Sequence, residues 1–194
     1  MASSEVEVVN YALSLLGEGA ITSLTDNSET ARVMNLKLSL VRDALFRLCQ
    51  PSFARKRSIL VPTSNTPAFQ WDFEYQLPVD RVAIVSIDEY YLDAVYDGGF
   101  PFEIEGDKLL TNISAEIKLR YIFKETNVVK WDPLFVRLIG TALAMESAYD
   151  ITGSNTNLEN INGLYERSLR ESRAADGREQ HNMGLNTNAV HRRF

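Results

Sequence analysis

The stretch from Asp26 to Pro51, DNSETARVMNLKLSLVRDALFRLCQP, decides the fold class. Asp26 followed three residues later by Glu29 has the form of a capping pair, in which side-chain oxygens satisfy free backbone N–H groups of a first helical turn. Pro51 has no N–H and disfavours helix in the residue before it, so the helix runs to about Cys49. Its apolar residues occupy two adjoining stripes: Val33, Leu36, Leu40, Ala44 and Leu48 beside Met34, Leu38, Val41 and Leu45. Two stripes are more than one narrow face has to bury, which predicts the central helix of a bundle. Arg32, Lys37, Arg42, Asp43 and Arg47 fill the remaining positions and leave a limited polar strip for solvent or a neighbouring subunit.

Upstream, Val6, Val9, Leu13 and Leu16 recur at the spacing of one helical face. Ser4 with Glu7 forms a capping box, and Gly17 suits the left-handed position after the last turn. Ile21 to Asp26 is the connecting loop. Downstream of Pro51 the period changes to alternation, in runs from Ser58 to Val61, Phe69 to Glu74, Arg81 to Ile87, Phe102 to Glu105 and Ile117 to Phe123. Asn65-Thr66-Pro67, Asp97-Gly98-Gly99, Glu105-Gly106-Asp107 and Thr111-Asn112 supply turn chemistry between them. Short connections of this kind favour a small antiparallel sheet or partial barrel.

Asp132-Pro133 then opens a third helix, with an acidic cap and proline at the first helical position. Leu134, Leu138, Ala142 and Met145, beside Phe135, Ile139 and Leu143, predict that it is largely buried. A fourth, amphipathic and peripheral helix runs from about Asn155 to Ala175 on Leu158, Ile161, Tyr165 and Leu169. The fold class read from this order is α+β: an antiparallel bundle of about four helices (residues 1–50 and 131–176), an inserted small antiparallel β-domain (51–130) and an extended C-terminal tail (177–194).

Composition narrows the function. The chain has 194 residues, 45% hydrophobic and 24% charged, enough to bury a core without staples. One cysteine, Cys49, excludes an internal disulfide framework. Met1-Ala2-Ser3-Ser4-Glu5 has no basic leader, and no run approaches the ~18 apolar residues of a membrane span, so an intracellular chain that does not cross a membrane is expected. A net charge of -6 argues against wrapping nucleic acid over the whole surface.

Few residues offer chemistry. The only histidines, His181 and His191, lie in the polar tail, away from any Ser or Cys that a base could activate. Asp97-Gly98-Gly99 is followed by Phe100-Pro101, which does not open a helix as a phosphate loop does, and no zinc spacing is present. No catalytic residue, metal ligand or cofactor is assigned. Asp88, Glu89 and Asp93, flanked by Tyr90, Tyr91 and Tyr96, read either as an acidic, aromatic sugar cleft or as a solvated strand end. Arg55, Lys56 and Arg57 form a basic patch that faces nucleic acid or an acidic partner, or else a solvated strand end. Phe69, Trp71, Phe73 and Tyr75 alternate with polar residues and read as the buried face of one strand, and Trp131 as a packing residue where bundle and β-region meet.

The order of these features and several local strings resemble the tail tubular protein A family, the head-to-tail adaptors of short-tailed bacteriophages (podoviruses). The strings are Ala12-Leu13 through Leu16-Gly17, Ile21-Thr22-Ser23-Leu24, Ser28-Glu29-Thr30-Ala31-Arg32, Arg42-Asp43-Ala44-Leu45 and Pro51-Ser52-Phe53-Ala54-Arg55-Lys56-Arg57. Further matches are Tyr75-Gln76-Leu77-Pro78-Val79-Asp80-Arg81, Trp131-Asp132-Pro133-Leu134-Phe135-Val136 and Ala174-Ala175-Asp176-Gly177-Arg178-Glu179. Ser52 stands where members of that family commonly carry Trp.

The resemblance implies a structural protein of the virion tail, made in the host bacterial cytoplasm. Twelve copies would form a ring between the portal protein and the tail nozzle, tail tubular protein B, with tail fibres as further neighbours. Double-stranded DNA would pass through the lumen without specific binding, and no cofactor is implied. By the same resemblance the C-terminal segment reaches the portal, through Arg178, His191, Arg192, Arg193 and Phe194. Candidate subunit-interface residues are Arg32 and Arg42 on the second helix and Asp88, Glu89 and Asp93 in the β-region. The alternatives are a polysaccharide-degrading accessory activity in a tail protein and a small nucleic-acid-binding module.

Overall fold

Ser4 Oγ accepts the Glu7 N–H at 3.3 Å and Gly17 takes φ 77, so both ends of the first helix, α1 (Glu5–Leu16), are fixed where the sequence marks them. The computed structural model describes residues 4–87, 90–91, 101–154 and 158–179. The second helix, α2 (Glu29–Cys49), is capped by Ser28, whose Oγ accepts the Ala31 N–H at 3.2 Å, and not by Asp26. Asp26 closes the preceding loop instead. Its carboxylate accepts the N–H groups of Ser23 and Thr22, at 3.0 and 2.9 Å, and the Thr22 hydroxyl, which together hold its pKa below the usual value. Gln50 ends α2 in the left-handed region, φ 48, directly before Pro51.

Two antiparallel sheets follow. β1 (Arg55–Leu60), β7 (Ile117–Phe123), β3 (Arg81–Ile87) and β4 (Tyr90–Tyr91) lie in that order in one; β2 (Phe73–Gln76), β6 (Lys108–Thr111) and β5 (Glu103–Glu105) form the other. The expected runs at Arg81–Ile87 and Ile117–Phe123 are strands with those bounds. The run from Phe69 to Glu74 is not one strand. Gln70 has φ 70, which breaks the alternation, and pairing begins only at Phe73. Phe69 is consequently 80% exposed, whereas Tyr75 is fully buried, so these aromatics do not share one buried face.

α3 (Pro133–Thr152) starts as the sequence indicates: Asp132 accepts the N–H groups of Leu134 and Phe135, and Pro133 occupies the first turn. α4 (Leu158–Glu179) runs past Ala175, so Gly177, Arg178 and Glu179 are helical and not part of a tail. The central helix is α3, which packs against α1, α2 and α4, and not α2. Only the Met34, Leu38, Val41 and Leu45 stripe of α2 is buried.

The elements stack as helices, the four-stranded sheet and the three-stranded sheet. Ala83, Val85 and Ile122 join the helices in one core with Phe46, Trp131, Phe135 and Leu138. Ile84, Ile87, Leu119 and Tyr121 face the other way, onto Tyr75, Leu77 and Leu109. β3 is therefore covered on both sides, which is why Val82-Ala83-Ile84-Val85 is a continuous apolar run and not an alternating one. Trp131 is 2% exposed and meets Phe46 and Phe135 edge-on at 6.0 and 6.3 Å, while its indole N–H donates to Glu125 O at 3.0 Å. Among the described residues no helix is long and apolar enough to cross a membrane.

Candidate functional site

Most of the second apolar stripe of α2 is left uncovered among the described residues. Leu36 is 68%, Leu40 65% and Leu48 50% exposed, and Ala44 between them is exposed too. Four-residue spacing sets them in one row, because each step of four advances little more than one helical turn. Arg32 and Arg47 are exposed beside that row, and Glu29 stands at its N-terminal end. Lys37 is held within the subunit by Asp150, and Arg47 donates to Val82 O at 3.2 Å.

Arg42, expected on the polar strip, is 6% exposed. Its guanidinium donates to Glu5 of α1 at 3.3 Å and to Asp43 at 3.0 Å, and Lys124 completes the group on the far oxygen of Asp43 at 2.5 Å. The helical angle turns Arg42 towards α1, so this cation joins α1, α2 and the end of β7 and is not presented to a neighbour.

The basic triplet is divided by strand alternation. Lys56 points with Tyr121 towards the three-stranded sheet, where it pairs with Asp80 at 2.8 Å and lies 3.7 Å over the Phe123 ring. Arg55 donates to Gln50 O at 3.3 Å on the opposite face. Arg57 on that face is exposed, stands opposite Arg120 in register, and forms no ion pair among the described residues. The Lys56 bond, more than any other cause, lowers the Asp80 pKa; burial and the Asp80 contact raise that of Tyr121 to about 12.

A second surface lies on the three-stranded sheet. A cleft of about 440 Å³ is lined by Phe69, Trp71, Glu74, Glu103, Glu105 and Lys108, among others. The positive φ of Gln70 turns Phe69 out to the solvent side, and Glu103 accepts the Trp71 indole N–H at 2.9 Å, fixing that ring. Glu74 pairs with Lys108 at 3.0 Å, which holds its carboxyl below the usual range. That is the ionised state, the opposite of what a general acid requires. Sequence patterning placed Phe69 and Trp71 in the core; the left-handed Gln70 carries no glycine or asparagine signal to warn otherwise.

Of the remaining candidates, Arg178 is exposed in the last turn of α4. Asp88, Glu89, Asp93, His191, Arg192, Arg193 and Phe194 lie outside the described residues, as does most of the 177–194 tail. A smaller cavity, about 260 Å³, opens where Pro51, Phe53, Trp131 and Phe135 meet Asp176 of α4, which accepts the Ser52 N–H at 2.6 Å. Burial pushes the nearby Cys49 thiol up. Among the described residues no group of three His, Cys, Asp or Glu is placed to hold a metal ion. No protein-family model and no curated protein sequence matches this chain.

Proposed function

We propose that this chain is a structural adaptor subunit, one of about twelve that close into a ring between the portal and the tail nozzle of a short-tailed bacteriophage and form part of its DNA channel. The observation that carries this reading is the exposed leucine row on α2, a contiguous apolar surface of the kind that marks a protein–protein contact. The ordered strings from Ala12-Leu13 to Arg178-Glu179 point to the same class of protein. A ring requires two different surfaces on each subunit that meet head to tail and close after a fixed rotation. With -6 on each subunit, a net-negative lumen would let DNA slide and not stick, by like-charge repulsion.

The test is to mix purified protein with the portal ring of its phage and count bound subunits by electron microscopy. A closed collar, lost when the residues after Gly177 are removed, is the expected result. An intact portal that binds no subunit overturns the reading.

A further inference from the structure

We propose that the leucine row of α2 in one copy docks into the Phe69–Trp71 cleft of the next copy, so that these two surfaces are the unlike halves of the ring contact. The proposal rests on the adaptor reading and identifies the surfaces that reading requires.

Both surfaces are apolar at the centre and charged at the margin, with opposite sign. Around Leu36, Leu40 and Leu48 stand Arg32 and Arg47 against Glu29, with Asp43 tied to Arg42 and Lys124. Around Phe69 and Trp71 stand Glu74, Glu103 and Glu105 against Lys108. A cation-rich row facing an acid-rich cleft gains attraction that row on row, or cleft on cleft, would lack. The two surfaces belong to opposite outer layers of the subunit, α2 in the bundle and the cleft on the three-stranded sheet. One chain therefore does not close them on itself, and the contact propagates from copy to copy.

Area favours assembly on a template. The three leucines, 68%, 65% and 50% exposed, make a patch of only three large side chains, whereas the largest patch of a typical monomer is about 300–600 Å². A stable free interface needs about 800 Å² per partner. The row supplies the apolar centre of a contact but far fewer than the roughly 20–30 residues a side of a stable interface, so closure depends on subunits already held side by side. The positive φ at Gln70 and the Glu103–Trp71 bond hold the receiving aromatics in place before contact.

The experiment places a photo-crosslinking amino acid at Leu40, lets the protein form its collar on the portal, and maps the crosslinked peptides by mass spectrometry. Crosslinks to Thr66–Trp71 or Glu103–Leu110 of a second copy are expected. Leu36→Glu with Leu40→Glu, and separately Phe69→Ala, should each lower collar occupancy at least tenfold with an unchanged circular dichroism spectrum, since all three positions are largely exposed. A collar whose crosslinks map elsewhere, or that both variants leave intact, overturns this contact and leaves the adaptor reading standing. A wild-type chain that forms no collar overturns the adaptor reading, and this contact with it.

Discussion

The Tyr11 ring of α1 occupies the space where a side chain on Gly140 of α3 would begin: a Cβ built on Gly140 would lie 2.3 Å from Tyr11 Cδ1. Glycine in mid-helix costs about 1 kcal/mol against alanine, so its place in α3 is explained by this close approach. Gly140→Ala forces Tyr11 from its seat, at about 1–3 kcal/mol of overpacking, which exceeds the propensity gain. A lowered urea midpoint is expected, with a larger loss for Gly140→Val. Tyr11→Ala should relieve the Gly140→Ala penalty, and a double variant showing no relief would refute the packing explanation.

Ser147 of α3 and Ser168 of α4 are buried, and neither hydroxyl has a hydrogen-bond partner among the described residues. An unsatisfied buried hydroxyl is a cost that alanine removes without changing backbone or volume much. Ser147→Ala and Ser168→Ala should each raise stability by up to about 1 kcal/mol, a few degrees in Tm for a chain of this size. Calorimetry decides; a fall in Tm would mean that the hydroxyls are satisfied in solution.

Removing Arg42 takes the cation from Glu5 and leaves Asp43 paired with Lys124 alone. Because both carboxylates are more than a third exposed, the loss on Arg42→Ala should be about 2 kcal/mol and not the larger penalty of a fully buried pair. Arg42→Met keeps the packed stem and should lose less. At a temperature where the variants remain folded, portal-collar occupancy should be unchanged, which separates Arg42 from the exposed Arg32.

Asp80 and Tyr121 give opposite pH limits. Asp80 has a folded pKa below its usual 3.8, held there first by Lys56, so its contribution is fully present above about 3.8 and is lost as pH falls further. Tyr121 is raised from 10 to about 12, first by burial and then by Asp80, so its contribution is present below 10 and is lost as pH rises towards 12. Asp80→Asn should flatten the acid limb and let Tyr121 ionise at lower pH, still above 10 because burial remains. Tyrosinate absorbance near 295 nm reads the shift directly.

Sequence periodicity determined the α+β class, the four helices and the two strands with the most sustained patterns, because these rest on local rules. Ser4, Gly17 and Asp132-Pro133 fix helix ends through atoms only a few residues away, and β3 and β7 carry enough branched and aromatic residues to pair. The capping pattern in the sequence pointed to Asp26, but Asp26 closes the preceding loop and Ser28 caps α2, which only the folded loop decided. Which apolar stripe of α2 would be buried was not in the sequence, since both stripes have helical spacing and the choice depends on where α3 lies. Nor was the turn at Gln70, which sends Phe69 and Trp71 out to a cleft, or the direction of Arg42, which depends on α1 lying beside it. Burial and pairing are properties of neighbours brought together across the chain, so the sequence by itself determined the elements, and the tertiary structure alone decided which of their faces are left for other molecules.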